Sequence, residues 1–240
     1  SDRELSMNNG FSYYPNGIGP GVWKLISWPG DPANKILAQT ELIDGHVFYT
    51  LNMFTKKYVV ADSIRLGSSY WFRHEYANDT LMFSEDTSVS IALENYTINL
   101  EEGWNMVGSP FAFPVRFEID STVEFPWTYG SPFMATGWSQ EENYLRPWNG
   151  YAVYASEESE ITLVPFGDSN SSSNRDTQFS WVIGLKVESK NFNHNVVKIG
   201  RRNNAKEGKD KYDVPAPPNI ENIISVLLDL NGESSFQYSK

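Results

Sequence analysis

The chain has no cysteine. That excludes disulfides, thiolate metal sites and a cysteine nucleophile. Histidine is nearly as scarce: His46, His74 and His194 lie in three separate segments, none with a second histidine at ligand spacing. Basic residues are outnumbered, with 19 Lys and Arg against 30 Asp and Glu and a formal charge of −11. Nucleic acids and anionic membranes reward clustered Lys and Arg, so neither is expected as a partner. The charge is read as keeping the surface soluble. No apolar run approaches the roughly 18–20 residues of a membrane-spanning helix; the longest mainly apolar run, Ile223 to Leu230, is strand-sized. The first ten residues are mostly polar and lack the apolar segment of a secretory leader. No stretch of helical length carries a 3.6-residue period, and no serine lies in Gly-x-Ser-x-Gly.

What the chain has is aromatic residues, 8 Trp, 13 Tyr and 14 Phe in 240 residues. Each, when buried, removes about 150–250 Å² from water, so a sizeable core is available.

One phrase occurs twice. Gly103-Trp104-Asn105-Met106-Val107-Gly108-Ser109-Pro110 has a counterpart 81 positions earlier in Val22-Trp23-Lys24-Leu25-Ile26-Ser27-Trp28-Pro29. The offset persists downstream. Met53 falls on Met134, Thr55 on Thr136, Arg65 on Arg146 and Tyr70 on Tyr151. Ile64 to Phe72 falls on Leu145 to Val153, so Gly67 corresponds to Trp148. Identities at Trp, Pro, Met and Tyr fix cores and turns, and the pattern reads as an internal duplication. It predicts that Trp23 and Trp104, and likewise Tyr70 and Tyr151, occupy equivalent places.

Short apolar or alternating runs bounded by Gly, Pro, Asn and Asp then read as strands. They are Val22–Ser27, His46–Asn52, Lys57–Ala61, Tyr70–Phe72, Leu81–Phe83, Ser88–Leu93, Tyr96–Leu100, Tyr151–Tyr154, Ile161–Val164, Phe179–Val187, Asn195–Ile199 and Ile223–Leu230. Residues 33–43 admit a short helix, although their copy at 114–124 argues for extended structure. The expected fold is all-β: two duplicated antiparallel units, sandwich- or barrel-like, then a C-terminal β segment forming an incomplete sandwich. The expected division is an opening segment at 1–20, a first unit at 21–101, a second at 102–166, a polar linker at 167–177 and the C-terminal segment at 178–240. The linker GDSNSSSNRDT holds only Gly and polar residues.

Leu100-Glu-Glu-Gly-Trp-Asn-Met-Val-Gly-Ser-Pro-Phe, Leu145-Arg-Pro-Trp-Asn-Gly-Tyr, Trp181-x-x-x-Leu185 and Lys211-Tyr-Asp-Val-Pro-Ala-Pro-Pro218 together carry a likeness. From about residue 21 onward the chain resembles non-catalytic β-rich modules of large secreted or surface-displayed bacterial proteins, of the kind associated with type IX secretion in Bacteroidetes-like bacteria. The resemblance implies a secreted or cell-surface location and neighbouring domains in the same polypeptide. Further strands follow the last phrase in such modules, so it also implies that a chain ending at Lys240 is a fragment.

Three functions follow as expectations. The first is a non-catalytic extracellular module for display, adhesion or assembly. The second is a carbohydrate-binding module, since the flat ring of a loop-borne aromatic stacks on the C–H face of a pyranose. Trp148, Trp138, Trp127, Tyr129 and Trp28 are its candidate ligand-binding residues, with a polysaccharide or another cell-surface component as partner. Trp71 also stands in a very short apolar run, whereas Trp23 and Trp104 read as core. For Trp127, Trp138 and Trp148 core and platform both stay open; the asymmetries Trp148/Gly67 and Trp138/Lys57 favour platform. The third is a fragment of a polysaccharide-degrading enzyme, whose carboxylates can come from distant segments. Glu101-Glu102 and Glu157-Glu158 read as solvated turn residues, and no residue is assigned a catalytic role. No cofactor is expected beyond a calcium ion, for which Asp210 and Asp213 with the carbonyls of 208–211, or Asp168 with Asn170, offer hard oxygens.

Overall fold

A computed structural model of the chain describes residues 21, 23–31, 47–73, 91–118, 122–129, 138–140, 144–165, 179–189, 192–202, 217–218 and 220. The linker at 167–177, the region 32–46 and the run at 223–230 lie outside the described residues.

The described chain is all-β. Its strands are β1 (Lys24–Ser27), β2 (Val47–Asn52), β3 (Lys57–Val60), β4 (Ser69–Arg73), β5 (Tyr96–Leu100), β6 (Gly103–Gly108), β7 (Val115–Glu118), β8 (Trp127–Tyr129), β9 (Trp138–Gln140), β10 (Tyr144–Leu145), β11 (Gly150–Ala155), β12 (Ser159–Val164), β13 (Phe179–Ser189) and β14 (Phe192–Arg202). They form antiparallel sheets ordered β1-β4-β2-β3, β6-β11-β8-β9 and β10-β7-β12-β5, with β13 and β14 as a separate hairpin. None of the sheets closes into a barrel.

The first two sheets are copies. β1 and β4 pair Ile26 with Tyr70 and Lys24 with Phe72; β6 and β11 pair Val107 with Tyr151 and Asn105 with Val153. Every one of these partners moves by the same 81 positions. So does a hydrogen bond at the turn before each last strand: the Arg65 amide donates to the Tyr70 hydroxyl at 2.7 Å and the Arg146 amide to the Tyr151 hydroxyl at 2.9 Å. The offset breaks only in the middle. Tyr49 faces Trp71 as Trp127 faces Ala152, and Leu51 faces Tyr58 as Tyr129 faces Trp138. The connection before β8 is shorter than that before β2, and the β8–β9 turn is longer than the β2–β3 turn; together they make Tyr58, not Lys57, the counterpart of Trp138.

The third sheet shifts a boundary. Tyr96–Leu100, read from sequence as the end of the first unit, hydrogen-bonds along β12, so it belongs to the second. Asn105 pins the turn between β5 and β6. Its side chain is buried, accepts from the Glu101 amide at 3.0 Å and donates to the carbonyls of Glu101 and Gly103 at 2.7 and 3.0 Å. The positions 81 residues before β5, β7 and β12 lie outside the described residues. A second correction concerns Ser88–Leu93. Its described part, Ile91 and Leu93, is not strand; both side chains rest on the core as non-strand chain.

β1, β4, β6 and β11 are buried on both faces, which is why their sequences run apolar rather than alternating. One face of the first sheet carries Ile26, Trp28, Phe48, Tyr70 and Phe72. The corresponding face of the second carries Val107, Tyr151 and Val153, covered by the third sheet through Val115, Phe117, Ile161 and Leu163. The opposite faces of the two copies meet. Leu25, Leu51 and Trp71 from one and Trp104, Met106, Tyr129, Trp138 and Ala152 from the other form one shared layer.

Candidate functional site

The two units meet through equivalent residues. The Ser27 amide donates to the Trp148 carbonyl at 3.1 Å, and the Gly108 amide to the Gly67 carbonyl at 2.9 Å. Isolated β-bridges join Ile26 to Asn149 and Ser68 to Val107. Moving each residue by 81 positions into the other unit turns the first member of each pair of contacts into the second. That is the signature of an isologous interface, here between two halves of one chain. At its centre a residue meets its own counterpart. A Cβ on Gly108 would stand 2.1 Å from the Cβ of Ser27, and one on Gly150 2.7 Å from the Cβ of Ser69. The approach admits a side chain from one unit only. The Ser27 hydroxyl uses the space to donate to the Asn149 carbonyl at 2.8 Å.

Around this centre lies the aromatic layer. Trp71 is fully buried with Tyr129 at 4.7 Å and Trp138 at 5.5 Å between ring centroids, both edge-on, and Trp23 at 6.3 Å. Such edge-to-face pairs add roughly 0.5–1.5 kcal/mol each beyond area burial. At the rim, the Arg73 guanidinium lies 5.8 Å above the Trp23 ring, and Tyr154, 81 positions on, lies edge-on 5.3 Å from Trp104. The indole N–H groups of Trp23, Trp71, Trp104 and Trp127 are buried without a hydrogen-bond partner. Trp71 approaches the Tyr58 hydroxyl without reaching hydrogen-bond geometry. Tyr58 donates to the Pro218 carbonyl at 2.7 Å, and Ile220 packs on the same layer. This ties the C-terminal segment to both units.

Burial pushes the Tyr58 hydroxyl well above the usual tyrosine value, with Trp71 opposing it weakly. Burial also raises Tyr70, against the lowering effect of its bond from the Arg65 amide. The Lys24 ammonium is lowered by burial.

The five candidate sugar platforms take different places. Trp148 is 2% exposed and sits in the first unit's cluster, among Ile26, Trp28 and Tyr70. Trp28 belongs to that same cluster, 5.2 Å from Phe48 and 5.4 Å from Tyr70. Tyr129 and Trp138 are buried in the shared layer, on the other face of the sheets. Trp127 alone is half-buried, at the margin of that layer. The candidates thus divide between two clusters instead of lining one groove, and four of the five rings have no open face for a sugar to stack on.

The outward ring expected of Trp148 is overturned for a definite reason. Trp148 has φ +66°, in the left-handed region, matching φ +78° at Gly67. Turned this way between Pro147 and Asn149, it projects across the interface. The neighbouring Pro and Gly report an exposed turn backbone but not the direction of the ring. The asymmetry with Gly67 is structural. A Cβ on Gly67 would meet the Tyr96 ring at 3.0 Å and Ile98 at 3.3 Å, so side chains of the second unit already fill that place. Trp148 fills the equivalent place in the first. The Trp138 asymmetry disappears, because its counterpart Tyr58 is also aromatic.

Among the described residues no group of three or more His, Asp or Glu is placed to hold a metal. Asp210, Asp213, Asp168 and Asn170, the expected calcium ligands, lie outside them, as do His46 and His74. Glu101, Glu102, Glu157 and Glu158 are exposed. Sequence reasoning missed the small residues at the centre. Ser27 and Gly108, and Ser69 and Gly150, are paired by the 81-residue offset, and their size was the available signal. No protein-family model, curated protein or solved structure matches this chain.

Proposed function

We propose that the chain is a non-catalytic β module of a larger secreted or cell-surface bacterial protein, serving display, adhesion or assembly. The observation that carries this reading is the burial of Trp148, Trp138, Trp28 and Tyr129. The aromatics are spent on joining two copies of one unit. The module's place is beside other domains of the same polypeptide, as the sequence likeness implies.

A carbohydrate-binding reading keeps one specific observation. Trp127, Trp23, Tyr49 and Tyr154 are half-buried around the shared layer, and the indole N–H groups of Trp127 and Trp23 lack acceptors. Affinity electrophoresis on plant and microbial polysaccharides, with release of reducing ends measured on the same polymers, separates the readings. The module reading expects no retardation and no release. Retardation of wild type that Trp127→Ala abolishes and Trp148→Phe retains supports sugar binding at the layer's margin. Release of reducing ends supports an enzyme and overturns the module reading.

A further inference from the structure

One stretch beyond the duplicated units returns to their shared layer. The Tyr58 hydroxyl donates to the Pro218 carbonyl at 2.7 Å, Pro217 is buried, and Ile220 packs against the layer. The surface that receives it is aromatic. Tyr49 opposes Trp71 and Leu51 opposes Tyr58, so Tyr49, Tyr58 and Trp71 share one face of the first sheet. Trp23 joins them, edge-on to Tyr49 at 5.8 Å and to Trp71 at 6.3 Å. Tyr58 stands edge-on to Trp71 at 6.2 Å. Trp71 is fully buried, whereas Trp23, Tyr49 and Tyr58 are half-buried and form the margin of the layer.

We propose that this margin is a binding site for a proline-rich extended segment, and that residues 217–220 of the same chain are its tethered ligand. The sequence Pro215-Ala216-Pro217-Pro218 suits that role. Three prolines in four positions fix φ and favour the polyproline conformation, so docking orders little that was free. Proline has no N–H, and each one therefore offers the site only a carbonyl. The margin answers with a donor: the Tyr58 ring lies in the layer while its hydroxyl reaches the Pro218 carbonyl. Aromatic surfaces of this kind are a general means of recognising proline-rich segments. Ile220 adds an apolar anchor two residues on. Chain connection alone does not dictate the contact. Residues 203–216 separate the end of β14 from Pro217, enough chain for the segment to lie elsewhere. The inference does not depend on the module reading: an enzyme or a display module could hold a C-terminal segment in this way.

The test uses the full chain and a fluorescein-labelled peptide of residues 213–221, Asp-Val-Pro-Ala-Pro-Pro-Asn-Ile-Glu. Pro217→Asp with Ile220→Asp releases the chain's own segment and leaves the margin unaltered. With its circular dichroism spectrum retained, this double variant should bind the peptide saturably, one per chain, by fluorescence anisotropy. Wild type should bind it roughly tenfold more weakly, because its own segment competes at the millimolar effective concentration of a flexible tether. Tyr58→Phe added to the double variant should weaken binding severalfold, as should alanine in place of the peptide's three prolines. Ile220→Ala is the milder release, to be used if the double variant loses its spectrum, and should bind with an affinity between those of wild type and a fully released chain. A folded released variant that does not bind the peptide overturns the proposal. So does equal affinity for wild type and released variant, which places the peptide elsewhere, or equal affinity of the alanine peptide, which makes proline irrelevant to the contact.

Discussion

Ser27 and Gly108 hold the same position in the two halves of the chain, and they touch. Their backbones approach so closely that a Cβ on Gly108 would lie 2.1 Å from that of Ser27 and 2.9 Å from the Ser68 carbonyl. A perfectly repeated sequence with serine in both places could not form this interface. The duplication therefore requires a departure from identity at its own axis.

Gly108→Ala should accordingly destabilise the protein by at least roughly 1–3 kcal/mol, the usual range for overpacking, because backbone as well as side chain stands in the way. The informative variant is the exchange. Ser27→Gly with Gly108→Ser again leaves one side chain at the axis. The new hydroxyl then faces the Ser68 carbonyl, the counterpart of the Asn149 carbonyl that Ser27 now donates to. Chemical denaturation should show the double variant recovering most of the loss measured for Gly108→Ala. If the double variant is as unstable as Gly108→Ser alone, the two units are not related by the exchange described here.

Trp148 offers a second test. A non-glycine residue in the left-handed region costs roughly 1–2 kcal/mol, and burial of the indole offsets that cost. Trp148→Ala loses the ring and keeps the strain, whereas Trp148→Gly loses the ring and removes the strain, reproducing Gly67. Both should lower stability, by about 3–5 kcal/mol for the alanine variant as for other buried tryptophans. Glycine should be better than alanine by about 1 kcal/mol. In an ordinary buried strand the order would be reversed. Urea midpoints of the two variants give the sign directly.

Much of this architecture was legible in the sequence because it rests on local rules. Trp-x-x-x near a Pro turn and the 81-residue offset correctly placed β1 against β6 and Tyr70 against Tyr151. What the sequence did not reveal depends on contact between distant segments. The shorter connection before β8 and the longer β8–β9 turn together shift Trp138 from Lys57 to Tyr58, and an ungapped comparison cannot register them. Nor does a polar turn around Trp148 tell whether its ring faces water or the other unit. Tyr96–Leu100 alternates as an edge strand in either unit; only its hydrogen bonds to β12 decide which one owns it.

The buried tyrosines make stability depend on pH in the alkaline range. Burial raises both Tyr58 and Tyr70 above their unfolded value of 10.0, favouring the neutral phenol in the folded chain. Above pH 10 the unfolded chain releases these protons while the folded chain retains them, so it is the folded state that binds more protons. Stability must then fall as pH rises. The contribution is fully present below pH 10.0 and is lost as pH climbs from there toward the folded values. Lys24 has the opposite sign. Burial lowers it below 10.5, so between its folded value and 10.5 the unfolded chain binds the extra proton and stability rises with pH. Tyr58 carries the larger shift, and its hydroxyl also holds the Pro218 carbonyl. Thermal melts across the alkaline range should therefore show Tyr58→Phe less stable than wild type at neutral pH, through loss of that bond, with a visibly shallower decline above pH 10. Parallel declines for the two proteins would mean that the Tyr58 hydroxyl is open to water and that the C-terminal segment does not seal the shared layer.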